Sequence, residues 1–245
     1  MSSTDAHAAR EALERLLEAD ASLDLPPGFG DAVERYVELL LDANRQLNLT
    51  RVVDPAAVAR LHLLDALAAL RWIDEWSPTS ALDLGSGGGI PGIVLALARP
   101  GVSWTLVDSV GKKADAMRAF VADLGVGSVT TLAARAEDLG RDGAHREAYD
   151  LVAARALAPL PVLAEYALPL VRVGGRVLAW KGPIAAAELE AGGIAARHLG
   201  GGEPSVLESG FEALGNHRFV VITKGGPTPA GYPRRAGVPS RRPLA

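Results

Sequence analysis

The run Ala81-Leu82-Asp83-Leu84-Gly85-Ser86-Gly87-Gly88-Gly89-Ile90-Pro91-Gly92 constrains this chain more than any other. The apolar residues up to Leu84 read as a buried strand, the glycines as a loop, and Pro91 as the opening of a helix. An acid stands two residues before the first glycine. Glycines lack the Cβ atoms that would hold a ligand away from the backbone. The helix start is expected to offer free N–H groups to an anionic group such as a carboxylate. The segment predicts a nucleoside-bearing cofactor at a strand end.

The register of the glycines bears on which cofactor. Gly87-x-Gly89-x-x-Gly92 matches the dinucleotide fingerprint in form, but that strand should end at the first glycine of the fingerprint. Here it ends at Leu84-Gly85. The spacing Asp83-x-Gly85-x-Gly87-x-Gly89 fits better the acid-Gly-x-Gly-x-Gly pattern of S-adenosylmethionine-dependent methyltransferases. A second strand, Trp104 to Asp108, ends in an acid placed to take both hydroxyls of a ribose. Asp108 serves NAD and S-adenosylmethionine equally, so it supports a nucleoside without choosing one.

Around this loop the pattern alternates. Candidate strands are 80–84, 103–108, 128–133, 149–154, 175–180, 204–209 and 217–224; candidate helices are 91–99, 112–124, 159–171 and 183–198. Apolar strands alternating with helices predict an α/β, Rossmann-like fold with a mainly parallel seven-stranded sheet and helices on both faces. Ligands then sit at the carboxyl ends of the strands. Before the sheet, helices over 8–20, 30–47 and from the Asp54-Pro55 start to about Trp72 form an N-terminal helical cap. We divide the chain into a cap (1–75), a cofactor-binding domain (76–224) and a basic, Pro-rich tail (225–245).

Composition narrows the function. The chain has 245 residues, 49% of them hydrophobic, and no cysteine, which excludes disulfides, zinc-thiolate sites and a cysteine nucleophile. Five histidines are scattered without metal-ligand spacing, so no metal is expected. No apolar run is long enough for a membrane span, and Met1 to Arg10 lacks a signal-peptide core. The expected location is the cytoplasm, and the expected state a monomer. The net charge is −4, but Lys224, Arg234, Arg235, Arg241 and Arg242 carry five positive charges against no acid after residue 223, which leaves −9 for the rest. Such a tail reads equally as a phosphate contact or as a solvated end. It is expected to lie away from the cofactor pocket and, with five prolines, to hold little regular structure.

Asn48-Leu49-Thr50, Asp54-Pro55, Arg60-Leu61-His62-Leu63-Leu64-Asp65, the glycine run, Val107-Asp108-Ser109-Val110-Gly111-Lys112-Lys113, Arg135-Ala136-Glu137-Asp138, Ala154-Arg155-Ala156 and Lys181-Gly182 follow in that order. As an ordered set they resemble the RsmG/GidB family of 16S ribosomal RNA guanine-N7 methyltransferases, from about residue 30 to 224. The resemblance implies S-adenosylmethionine as methyl donor and 16S ribosomal RNA of the small ribosomal subunit as partner. It also implies cofactor contacts at Gly85, Ile90, Ala136, Glu137 and Arg155. To these the residue reading adds Asp83, Gly87, Gly89 and Asp108.

Guanine N7 carries a free lone pair and needs no deprotonation, so no general base is expected. A positive Arg155 beside a base that gains charge is unfavourable, which gives it an orienting role on phosphate or on the cofactor carboxylate. His62 and Asp65, three apart on one helix, read more readily as structural hydrogen bonding than as an acid/base pair. Lys112, Lys113, Lys181, Arg234 and Arg235 are the candidate RNA-binding residues. Trp72, Trp76 and Trp104 read as packing. Competing readings are a small-molecule or protein methyltransferase, an NAD-dependent oxidoreductase, and a non-catalytic RNA-binding module.

Overall fold

The computed structural model describes residues 2–18 and 23–245. Seven strands form one sheet in the order β3-β2-β1-β4-β5-β7-β6: β1 (Ser80–Leu84), β2 (Ser103–Asp108), β3 (Val129–Ala133), β4 (Tyr149–Arg155), β5 (Val171–Lys181), β6 (Ser205–Glu208) and β7 (Arg218–Thr223). β1 to β5 pair in parallel; β7 runs antiparallel between β5 and β6. The chain builds outward from β1 to β3 and then returns to lay β4 on the other side of β1. That reversal opens a crevice at the carboxyl ends of β1 and β4, where ligands of open α/β sheets bind. Each expected strand is present, and β5 begins earlier than its apolar run because Val171 already pairs with Tyr149.

Two cores hold the sheet between layers. On one face pack α1 (Ser2–Glu18), α2 (Phe29–Leu47), α6 (Gly92–Ala98) and α7 (Gly111–Asp123), sharing one apolar cluster that includes Leu13, Tyr36, Leu40, Ile93, Trp104 and Phe120. The cap and the sheet are therefore continuous through this core. On the other face, α8 (Ala136–Leu139), α9 (Leu160–Ala167) and α10 (Ala186–His198) pack on Leu82, Val152, Val177 and Ile222. The end of the expected helix 8–20 lies outside the described residues.

The third cap helix is not continuous. It starts as α3 (Pro55–Val58), capped by Asp54, whose carboxylate accepts the Ala57 N–H. It widens into a π turn at Ala59–Leu64, resumes as α4 (Asp65–Leu67), and is followed by α5 (Leu70–Trp76). Widening changes which side chains share a face, so three-residue spacing no longer stacks His62 on Asp65. Trp72 and Trp76 stack on each other, and Trp104 is buried, as packing residues.

The tail departs most from expectation. It folds back over the body and ends in α11 (Val238–Arg241), which packs on α9. Lys224 is no tail cation but 1% exposed, pairing with Glu147 and donating to the Leu168 carbonyl. Arg146 donates to the carbonyls of Tyr232 and Thr228. Among the described residues no helix is long and apolar enough to cross a membrane.

Candidate functional site: two cavities at the carboxyl edge of the sheet

Two cavities open at the carboxyl edge of the sheet. The first, of about 310 Å³, is lined by Gly85, Asp108, Ser109, Ala134 to Glu137, Leu157, Tyr166, Gly237 and Ser240, among others. The second, of about 500 Å³, is lined by residues of the π turn, of the strand ends of β4 and β5, and by His217.

The glycine run builds the wall of the first cavity. Gly85 lines it directly; Gly87 does not, and sits behind it at φ +58°, in left-handed backbone that a side chain rarely adopts. Its N–H donates to Asp108 Oδ2 at 3.0 Å, and the Val110 N–H donates to Oδ1 at 2.8 Å. Each Asp108 oxygen thus keeps a lone pair beyond its backbone bond, the acceptor pair a ribose diol requires. Gly85 and this carboxylate fit the nucleoside that the sequence implies. Tyr36 of α2 donates to the Gly88 carbonyl at 2.9 Å, so the cap braces the loop.

Other loop residues serve behind the wall. Gly92 is needed for close approach: a Cβ there would lie 2.3 Å from Leu106 Cδ2 and 2.8 Å from Asp83 Oδ2. Its N–H donates to Asp83 Oδ2 at 3.0 Å, while Asp83 Oδ1 is buried without a partner. Burial pushes the Asp83 carboxyl up to about 6, against the pull of the Gly92 amide. Gly89 packs on Ile93, and Ile90 is buried in the cap-side core, so neither is among the residues lining the cavity. The expected free amides at the helix start are consumed inside the loop. Ile90 donates to Ser86, Gly92 to Asp83, and Ile93 to the Gly89 carbonyl. The turn is tight enough to satisfy itself.

Arg155 does not line the nucleoside cavity; it lines the second cleft. Its Nη1 donates to the Leu61 carbonyl at 2.7 Å and to Asp65 Oδ2 at 3.1 Å, and its Nη2 donates to His62 Nδ1 at 3.2 Å. Nδ1 also lies 3.1 Å from the Leu61 carbonyl, so it stands between a donor and an acceptor, and Nε2 lies 2.7 Å from Thr50 Oγ1, a hydroxyl that can donate or accept. Burial and the Arg155 charge push His62 down to about 4. His217 donates from Nδ1 to Asp65 Oδ1 at 2.9 Å, and Trp180 Nε1 donates to the Asp65 carbonyl. His62 and Asp65 therefore do not pair; they grip Arg155 from two sides. Ala156 follows at φ +52°, a strained position beside the cleft.

The predicted RNA-binding residues divide. Lys112 and Lys113 stand at the start of α7, on the ligand edge, and pair with no acid among the described residues. Lys181 is engaged with Glu188 at 2.8 Å and with the Ala158 carbonyl, fixing the loop after β4. Arg234 is not free for phosphate: its guanidinium and backbone N–H hold Glu165, which is 0% exposed. Arg235 is exposed. The tail also lines the nucleoside cavity through Gly237 and Ser240, contrary to the expectation that it lies elsewhere. Sequence reading also missed Tyr166 and His217. No spacing signal ties residues so distant along the chain to the glycine loop or to Asp65.

The sequence pattern of rRNA small subunit methyltransferase G matches residues 30–210. The chain belongs to that family. It is 40% identical to ribosomal RNA small subunit methyltransferase G of Moorella thermoacetica, over 94% of this chain and 98% of that one. It is 42% identical to the protein of the same name from Symbiobacterium thermophilum, over 98% and 100%. Against that of Deinococcus radiodurans the identity is 44%, over 97% and 93%. The fold is that of methyltransferases more widely. A putative O-methyltransferase from Nostoc punctiforme superposes with a TM-score of 0.54 at 16% identity, covering 79% of this chain and 72% of that one. The methyltransferase SibL superposes with a TM-score of 0.55 at 16% identity, covering 80% and 74%.

Proposed function

We propose that this enzyme transfers a methyl group from S-adenosylmethionine to N7 of a guanine in 16S ribosomal RNA of the small ribosomal subunit. It acts in the cytoplasm as a monomer. The observation that carries the reading is the adjacency of a nucleoside cavity, ending in Asp108, to a cleft whose imidazole at His62 is neutral and hydrogen-bonded on both nitrogens. The second cleft receives the acceptor base.

The cofactor, when bound, supplies an electrophilic methyl group on a sulfonium. Asp108 holds the ribose. Gly85, Ala136 and Glu137 would surround the nucleoside, and Asp83, Gly87 and Gly89 fix the loop that would bear it. N7 attacks with its own lone pair, so the cleft must position the base rather than deprotonate it. Arg155 orients groups that reach the cleft from the cofactor side. Its charge is compensated by Asp65, which removes the electrostatic objection to a cation beside a base that gains charge. Trp180, stacked edge-on against Phe219, supplies an apolar wall. Lys112, Lys113 and Arg235 contact phosphates, which anchors RNA without reading sequence.

The test is methyl transfer to unmethylated 16S ribosomal RNA and to small subunits, followed by nucleoside mass spectrometry. The expected product is 7-methylguanosine. Methyl on an exocyclic amine, or none on RNA with transfer to a small molecule instead, overturns the proposal.

A further inference from the structure

The tail from Gly225 to Ala245 is fixed to the body along its length. The Thr228 N–H donates to Glu147 Oε1, and Arg146 and Arg141 bind the carbonyls of Tyr232 and Pro233. Arg234 meets the buried Glu165 through its backbone N–H and both ends of its guanidinium. This path brings Gly237 to the cavity edge, where its N–H donates to Glu137 Oε1 at 2.8 Å. Glu137 is buried, and among the described residues no protein donor reaches its other oxygen. That second oxygen is left to accept from a ligand in the cavity that Glu137 lines.

The strand order says which end of the ligand this is. Asp108, at the end of β2, takes the ribose. The reacting methyl must face the acceptor cleft at the ends of β4 and β5, so the base lies on the far side of the ribose, at the end of β3, where Ala134 to Glu137 follow. Gly237 and Ser240 line the same cavity as those residues. Adenine presents an amine donor on its edge. We propose that residues 237–240 form the outer wall of the purine end of the cofactor cavity, and that the Gly237 N–H holds Glu137 in place to receive the purine amine. The proposal rests on the reading of this cavity as the S-adenosylmethionine site. The C-terminal tail is then part of the cofactor site, clamped there by Arg234 and Glu165.

The test compares the full chain with two variants. One ends at Arg235, which keeps the Arg234–Glu165 clamp and removes the wall. The other is Ser240→Phe, which leaves the tail in place and fills the cavity from that side. Calorimetry measures S-adenosylhomocysteine and methylthioadenosine, which share the nucleoside but differ in the amino-acid end. Each variant should lose about tenfold or more in affinity for both ligands alike, the truncation by removing the Gly237 N–H that holds Glu137 and Ser240→Phe by filling the cavity. If ending the chain at Arg235 lowers the ligand-free melting temperature, Ser240→Phe decides alone. Unchanged affinity in both variants overturns the tail's role and leaves the cavity's assignment standing. Loss confined to S-adenosylhomocysteine places the tail at the amino-acid end and also overturns it. A full chain that binds neither ligand overturns the cavity's assignment and this proposal with it.

Discussion

Asp83→Asn should stabilise the ligand-free protein, and only above mildly acidic pH. The Asp83 carboxyl is 0% exposed, takes one N–H from Gly92, and leaves Oδ1 without a donor. Its value rises from 3.8 to about 6 because burial penalises the charged form. A raised carboxyl binds its proton in the folded state where the unfolded state has lost it. Stability is therefore fully present below about 4 and falls as pH rises to about 6. A shift of that size corresponds to about 3 kcal/mol, an order-of-magnitude figure. The amide of Asn accepts the Gly92 N–H through its oxygen and never ionises. Other groups titrate in the same range, so the quantity to measure is the variant's stability minus the wild type's, from urea unfolding at each pH from 4 to 8. That difference reports only the exchange of acid for amide well below pH 4. It should climb by about 2 kcal/mol between pH 4 and pH 6, where the folded carboxyl is still half-protonated, and level off above about pH 7. A flat difference would mean that Asp83 titrates normally, and that the glycine loop solvates it in a way its hydrogen bonds do not provide.

Gly92→Ala should cost about 1–3 kcal/mol in stability, measured by the same unfolding, because a Cβ there meets Leu106 and Asp83 well inside contact distance. A neutral result would mean that α6 can slide away from β1 without loss. Single-turnover methyl transfer at saturating RNA should be level from pH 6 upward, since N7 needs no base and His62, pushed down to about 4, is already neutral. An essential ionisation near neutrality that disappears in His62→Gln would show that the imidazole moves a proton after all.

The strands, most helices and the placing of the glycine loop beside Asp108 were legible in the chain itself. Period-two and period-3.6 patterning is local, and so is turn chemistry; the run from Ala81 to Gly92 and the acid closing β2 specify their own backbone. Asp108 stands at its strand end because Trp104 to Val107 can only be a buried strand. The acceptor cleft was legible in its parts but not in its wiring. Thr50, His62, Asp65, Arg155 and His217 are brought together by the packing of the cap against the far strands. The π turn that separates His62 from Asp65 is invisible to a helical period. The tail shows the limit most clearly. Charge and proline content read its arginines as free, whereas Arg234 meets Glu165 across 69 residues of chain. A carboxylate excluded from water needs a cation, and which cation reaches it depends on the path of the folded chain rather than on any neighbour in sequence. The sequence by itself placed the glycine loop and Asp108 at neighbouring strand ends; the tertiary structure decided that Gly237 and Ser240, from the last residues of the chain, line the same cavity.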